Sequence, residues 1–233
     1  MSKRILLVVT NEDHYESAPS HPTGLWLSEL THAYDIFADK GFEQTIISPA
    51  GGKSPLEPRS LKFPNCDKSA KAWHGDKSRM ALLDNTKSPE QIDTNEYDAI
   101  YFTGGHGVMF DFPDSEPLQQ ITREIFENGG IVGAVCHGYC GLLNTKLSNG
   151  SFLVANRDIT GFSWREEVLA RVYKIVPYNI EELMRDRGAN YSKALVPFIS
   201  NVVVDGKLVT GQNPGSAKAT ALKVAELLSL PQE

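Results

Sequence analysis

Four short segments of strand character, three of them predominantly apolar, are separated by stretches of helical periodicity and constrain most strongly what this chain can fold into. The segments are Ile5–Val9, Phe42–Ile47, Ala99–Thr103 and the run Gly130–Val135 that ends at Cys136. Apolar runs of this length without polar alternation are typical of strands that are buried on both faces. Strands that alternate with helices predict an α/β fold in which a mostly parallel sheet is covered on both sides.

The helical segments lie between these strands. In Thr23–Lys40 the apolar residues Trp26, Leu30 and Phe37 share one face, and Leu118–Glu127 forms a second helix. Near the C-terminus, Val202–Val209 contains an Asp-Gly pair and predicts a β-hairpin. A final helix is expected after Asn213 and Pro214, which provide a capping residue and a favoured first position.

Three segments are less regular. Residues 10–22 read as a polar loop, and Pro49 to Asp76 is rich in Gly, Pro, Ser and Lys, which indicates an irregular surface excursion followed by a short helix. We expect one domain over residues 1–233, with insertions near 49–96 and 163–193.

Charge and cysteine content restrict the partners and the compartment. The net charge of −6 argues against nucleic acid or an anionic membrane surface as a partner. No apolar run has the length of a membrane span or of a signal-peptide core. Three cysteines do not form a disulfide framework, so a reducing cytoplasm is the expected location.

Cys136 is the residue with the clearest chemical implication. A cysteine on the corner between a strand and a following helix is lifted out of the sheet, as the serine of a hydrolase elbow is. We expect its sulfur to meet the positive end of a helix dipole and to attack carbonyl carbon. The alternative is a buried, inert cysteine.

A second loop of interest follows Thr103. Ligand sites in parallel sheets lie at the carboxyl ends of strands, and Gly104-Gly105-His106-Gly107 stands at such an end. Its backbone amides can approach a ligand closely and can stabilise an oxyanion together with the His137 amide. The alternative is a tight turn with no chemical role.

The chain resembles the DJ-1/PfpI superfamily, and within it the branch of the thirty-one-kilodalton heat-shock chaperones and glutathione-independent glyoxalases. The segments that carry the resemblance are Thr23–Glu29, Gly104–Gly107, Ala134–Gly138, Ile159–Phe162 and Thr210–Ala217. The resemblance implies a flavodoxin-like three-layer sandwich, a homodimer, and no requirement for a cofactor or metal.

The resemblance also implies roles for residues of this chain. Cys136 matches the nucleophile, His137 the triad histidine, and Glu29 the glutamate that hydrogen-bonds the sulfur. By spacing alone, Glu29 adjoins the apolar stripe of its helix without lying at its centre, which favours an exposed helix position. The third triad member is an acid after Phe162, for which Glu167 fits best and Glu166 is the rival.

The implied reaction converts methylglyoxal and related 2-oxoaldehydes to 2-hydroxy acids such as lactate, as a lyase of the D-lactate dehydratase type. The Gly105 and His137 amides would form the oxyanion site, and the substrate would be lined by Gly104, His106 and Trp26. The alternatives on the same fold are a stress chaperone or redox sensor, a protein deglycase, and a cysteine amidase or peptidase.

The remaining cysteines and histidines carry weaker expectations. Cys140 could act as a resolving thiol but is better interpreted as a small packed hydrophobe. The loop histidines His14, His21 and His74 do not have the spacing of a metal motif.

Overall fold

A computed structural model describes residues 2–230 and shows a six-stranded sheet with helices on both faces. The strands are β1 (Arg4–Val8), β2 (His14–Tyr15), β3 (Ala18–Pro22), β4 (Glu43–Ile47), β5 (Ala99–Phe102), β6 (Ile131–Val135), β7 (Asp158–Ile159), β8 (Asn190–Tyr191), β9 (Val202–Asp205) and β10 (Leu208–Gly211). The main sheet has the order β4-β1-β5-β6-β10-β9, and each neighbouring pair is parallel except β10 with β9.

Eight α-helices connect and cover these strands within residues 2–230. They are α1 (Leu27–Asp39), α2 (Lys68–Gly75), α3 (Lys77–Met80), α4 (Val108–Asp111), α5 (Glu116–Glu127), α6 (Trp164–Leu169), α7 (Ile180–Asp186) and α8 (Ala217–Ser229). No helix in this part of the chain combines the length and the apolar character needed to cross a membrane.

The core has two layers, one on each face of the sheet. Along β1, Ile5 and Leu7 pack into the layer that contains α1 and α8, whereas Leu6 and Val8 pack into the layer that contains α5. Because successive side chains of a strand point to opposite faces, a strand covered on both sides must be apolar throughout. This arrangement confirms the predicted α/β class with its mostly parallel central sheet.

Two predictions in the N-terminal third were wrong in detail. Residues 10–22 contain the two-stranded antiparallel hairpin β2–β3 and not only a loop. Helix α1 begins at Leu27 and not at Thr23, because backbone hydrogen bonds hold the preceding residues in an extended path. The Leu25 N–H donates to the Pro55 carbonyl at 2.8 Å, and the Trp26 N–H donates to Gly104 at 3.0 Å.

The excursion from Pro49 to Asp76 is more ordered than its composition predicts. It contains a 3₁₀ turn at Pro58–Leu61 and the helix α2, which begins after the capping residue Asp67 and buries Trp73. The hairpin prediction at Asp205-Gly206 is confirmed by the antiparallel pairing of β9 with β10.

Candidate active site

Cys136 lies on the sharp corner that follows β6. Its φ angle is 56°, in the left-handed region that a non-glycine residue occupies at a cost, which is typical of functional sites. The next residues, Cys136–Leu142, form a 3₁₀ helix and not the predicted α-helix. A side chain at Gly138 would collide with the Phe102 carbonyl, so only glycine lets this corner pack against β5.

The thiol opens into a cavity of about 560 Å³ at the carboxyl end of the sheet. The cavity is lined by Trp26, Arg59, Lys62, Phe63, Asn65, Gly105, His106, Cys136, His137, Phe162, Ala170, Phe198, Asn213, Pro214 and Gly215. Cys136 itself is 2% exposed. Burial raises the pKa of its thiol, and the neighbouring Glu29 carboxyl raises it further. The His137 backbone N–H acts in the opposite direction and lowers this pKa, but burial has the larger effect.

Glu29 lies in the first turn of α1 and is fully buried beside the Cys136 thiol. Its Oε2 accepts a hydrogen bond from the Gly104 N–H at 2.7 Å, whereas its Oε1 is buried without a hydrogen-bond partner in residues 2–230. Burial raises the pKa of Glu29 to about 8, against the lowering effect of the thiol and of the Gly104 amide. At neutral pH this carboxyl is mostly protonated and faces the sulfur as a neutral acid.

His137 joins the thiol to an ionised carboxylate. Its Nδ1 lies 3.3 Å from the Cys136 sulfur, and its Nε2 lies 2.5 Å from Glu167 Oε1. Burial alone would raise the pKa of Glu167, but the imidazoles of His106 and His137 lower it well below its usual range. Because the Glu167 carboxylate only accepts, the Nε2 of His137 carries hydrogen, and its Nδ1 is free to take the thiol proton.

His106 hydrogen-bonds to the other carboxylate oxygen of Glu167. Its Nε2 lies 3.0 Å from Glu167 Oε2, and its Nδ1 accepts from Arg59 Nη2 at 2.9 Å. An imidazole that accepts at one nitrogen and donates at the other is neutral. Burial and the nearby His137 lower the pKa of His106 to about 4, which agrees with that tautomer. His106 therefore orients the carboxylate that orients His137.

Glu166 has a different environment from Glu167. Its carboxylate accepts hydrogen bonds from the Ser163 N–H and hydroxyl, the Gln212 and Asn213 amides, and the Phe198 N–H. None of these hydrogen bonds is to Cys136 or His137, so within residues 2–230 the Glu166 carboxylate bonds only to groups that surround the site. The geometry therefore places Glu167 and not Glu166 against His137.

The glycine loop fits closely around these groups. A Cβ on Gly104 would lie 2.6 Å from Glu29 Oε2 and 2.9 Å from the His137 amide nitrogen. Gly105 has a φ of 107°, and its N–H has no acceptor within residues 2–230. The His137 N–H faces the sulfur and favours its ionised form. Two backbone donors are thus available near the thiol for a developing oxyanion.

Trp26 lines the cavity as predicted, directly before α1. Sequence reasoning missed Arg59, Phe162 and Phe198 as cavity residues. Phe162 packs against His137 at 4.5 Å between ring centroids and lies in a segment that had been noted for its motif. Arg59 lies in the excursion, where no periodic pattern marks it.

The remaining cysteines and histidines are not part of this arrangement. Cys140 is fully buried in the layer opposite to Cys136, and burial raises the pKa of its thiol. His14 and His21 lie on the exposed hairpin β2–β3. The ligand atoms of His106, His137 and Glu167 lie close enough together to suggest a metal centre, but they hydrogen-bond one another directly.

A buried cysteine on a strained corner, with a histidine and an ionised carboxylate behind it, places the molecule among α/β proteins with a cysteine nucleophile elbow. The chain belongs to the DJ-1/PfpI family, whose family model matches residues 23–227. It is 32% identical over 235 residues to the glutathione-independent glyoxalase HSP31 of Saccharomyces cerevisiae, covering 97% of this chain and 98% of that one.

Two crystal structures are similar over nearly the whole chain. The Rapid Encystment Protein of 24 kDa from Francisella tularensis is 36% identical with a TM-score of 0.92, covering 98% of this chain and 100% of that one. Glyoxalase III from Candida albicans is 30% identical with a TM-score of 0.87, covering 96% of both chains. Both likenesses support the flavodoxin-like arrangement predicted from the resemblance.

Proposed function

We propose that this protein is a glutathione-independent glyoxalase that converts methylglyoxal and related 2-oxoaldehydes to 2-hydroxy acids. The yeast and Candida relatives carry this activity in their names. The observation that carries the proposal is the placement of one buried thiol between a neutral acid, Glu29, and a base, His137, backed by Glu167. An isomerisation between adjacent carbons needs such an acid and base on either side of the reacting atoms.

The reaction begins when His137 Nδ1 takes the Cys136 proton and the sulfur adds to the aldehyde carbon. The aldehyde oxygen becomes an oxyanion, which the Gly105 and His137 amides stabilise before it is protonated. The product of this step is a hemithioacetal. Because the thiol is buried and its pKa is raised, transfer to His137 and attack on carbon are expected to occur together.

The second half moves one proton and adds water. A base removes the proton from the former aldehyde carbon, Glu29 protonates the neighbouring carbonyl oxygen, and an enediol forms. The base then returns its proton to the second carbon while Glu29 takes the proton of the hydroxyl on the first carbon, which gives a thioester of Cys136. Water then attacks the thioester, releases the 2-hydroxy acid and returns the proton to the sulfur. The carbon skeleton is isomerised internally, so water is the only co-reactant.

The stereochemistry and the assembly are part of the same proposal. We expect protonation on one face of the enediol to give D-lactate, as a lyase of the D-lactate dehydratase type does. We propose a cytoplasmic homodimer built from a single domain, with 49–96 and 163–193 as insertions. That both segments contribute to the cavity, through Arg59 and Ala170, supports treating them as parts of one functional unit.

Product analysis tests the proposal. Purified protein is incubated with methylglyoxal without glutathione, and D- and L-lactate are measured separately. We expect mole-for-mole conversion to D-lactate and a slower reaction with methylglyoxal deuterated at the aldehyde carbon. Consumption of methylglyoxal without lactate would instead indicate adduct formation and contradict the proposal.

A specific feature of the surface favours a second function, the binding of apolar segments of unfolded proteins. Large apolar side chains are exposed, among them Phe63 and Phe198, which line the cavity, and Leu195 and Ile199, which are close to Phe198 in the sequence. Exposed apolar groups of this kind mark interaction surfaces. Suppression of aggregation of a denatured test protein, lost in Leu195→Ser but retained in Cys136→Ala, would support this function.

A further inference from the structure

The cavity is larger than methylglyoxal requires. Its volume of about 560 Å³ is typical of pockets that enclose ligands of drug size, whereas methylglyoxal is a three-carbon molecule. Cys136 and His137 stand at one part of its wall, and Arg59 and Lys62 stand at another. The part of the cavity that the proposed reaction does not use is therefore lined by two cationic side chains.

Arg59 is held in a fixed orientation at this unused part. Its Nε and Nη2 donate to the two oxygens of Glu57, each at 2.8 Å, and Nη2 also donates to the Tyr15 hydroxyl at 2.7 Å. Its Nη1 has no hydrogen-bond partner in the described residues 2–230, and the side chain is 33% exposed. A guanidinium with one edge fixed and the other edge open is pre-organised to bind a carboxylate.

The charge of the cavity wall is positive. The buried Glu57 carboxylate neutralises the charge of Arg59, so Arg59 serves to orient a bound anion. The exposed Lys62 supplies the net positive charge of the cavity wall. The lining residues include these two cations and no aspartate or glutamate. The rings of Phe63 and Phe198 also line the cavity and can contact the apolar part of a ligand.

Arg59 is linked to the thiol by contacts through two histidines. Arg59 contacts His106, whose ring lies 4.2 Å from that of His137, and His137 contacts the Cys136 sulfur. This chain of contacts passes through two imidazole rings. A 2-oxoaldehyde with a tail can place that tail at Arg59 while its aldehyde carbon lies at the sulfur, because both groups line the same cavity.

The geometry points to an anion subsite at Arg59 and Lys62 that binds the carboxylate of a 2-oxoaldehyde carrying an acidic tail beyond its ketone. This inference rests on the proposed function for the reaction at the aldehyde end, which is unchanged. The bonds formed and broken are those of the methylglyoxal reaction, and the tail carboxylate takes no part in them.

Substrate discrimination is the first test. The kcat/KM values for 4,5-dioxopentanoate and for its methyl ester are compared, because the ester lacks the tail charge and otherwise adds only one methyl group. We expect the acid to be favoured by about tenfold or more, as for a charge-assisted hydrogen bond, and the ratio to fall towards one in Arg59→Gln and Lys62→Gln. The ratio cancels any effect of Arg59 on His106.

The exposed Lys71 of α2, which lies outside the cavity, gives the matched control Lys71→Gln. An unchanged ratio in both cavity variants overturns the inference.

Binding without turnover separates this inference from the proposed function. Levulinate has the same tail but a methyl group in place of the aldehyde, so it is titrated into Cys136→Ala protein by ligand-observed NMR with methyl levulinate as control. We expect levulinate to bind at least about tenfold more tightly than the ester and to weaken with added salt. Equal binding of both, or none of either, overturns the subsite. Selective levulinate binding by a protein that turns over no 2-oxoaldehyde would refute the proposed function and leave the subsite standing.

Discussion

Glu29→Gln is expected to make the protein more stable at neutral pH while abolishing its activity. Glu29 is fully buried, and its pKa is raised from its ordinary value of 4.5 to about 8. A raised pKa means that the native state holds a proton that the unfolded chain releases above pH 4.5. Stability is therefore lost as pH rises from 4.5 through 8. Glutamine keeps the Oε acceptor for the Gly104 N–H and does not titrate.

The expected gain follows from the size of this shift. One pKa unit corresponds to about 1.4 kcal/mol, so holding Glu29 protonated at pH 7 costs about 3 kcal/mol. Glu29→Gln should recover an amount of this order at pH 7, more at pH 8, and almost none at pH 4.5. Catalysis should be lost, because the amide cannot deliver a proton to the substrate oxygen.

Urea denaturation at pH 4.5, 7 and 8 measures the first effect, and methylglyoxal consumption by the same samples measures the second. The matched control is Glu90→Gln, at an exposed glutamate of the 3₁₀ turn Pro89–Gln91 that is remote from the cavity. A Glu29→Gln protein destabilised by the same amount at every pH would refute the reasoning, since the wild-type carboxyl would then not be held neutral by burial.

Three further substitutions test the packing of the glycine loop, the hydrogen bond from His106 to Glu167, and the buried hydrogen bonds of Glu166. Gly104→Ala places a Cβ 2.6 Å from Glu29 Oε2, and we expect about a 100-fold loss of kcat/KM; near wild-type turnover would contradict the packing argument. His106→Phe removes the hydrogen bond to Glu167, so kcat should fall about tenfold and the acidic limb of the pH–rate profile should move to higher pH, whereas an unmoved limb would exclude this positioning role. Glu166→Ala leaves several buried donors unpaired and should lower the free energy of unfolding by about 3 kcal/mol in urea denaturation; a loss well under 1 kcal/mol would show that those donors find other partners.

The strands of the sheet were predictable because most of them are marked by an apolar run within their own segment of sequence. The apolar run Ile5–Val9 is long enough to indicate a strand by itself, and β1 occupies Arg4–Val8 within one residue of it at each end. The corner at Cys136 was found for the same reason, since a buried strand must stop where its apolar run stops. The start of α1 was missed because hydrogen bonds from Leu25 and Trp26 to distant residues, and not helix propensity, decide it.

The site was only partly predictable because several of its contacts join distant segments. The closeness of Glu29 to Cys136 was expected only from the family resemblance, since helix spacing alone favours an exposed position for Glu29. Arg59 was missed, because its partners Tyr15 and His106 belong to separate segments and nothing in their spacing links them. The raised pKa of the Cys136 thiol was also missed, since the burial that raises it follows from the packing of the whole corner.

The proposed reaction requires the Cys136 sulfur to act as the nucleophile. The most direct measurement is D-lactate formation from methylglyoxal by Cys136→Ala beside Cys140→Ala, two truncations of buried cysteines on opposite faces of the same sheet. We expect no turnover above background in Cys136→Ala and turnover close to wild type in folded Cys140→Ala. Retained lactate formation by Cys136→Ala would contradict the central claim.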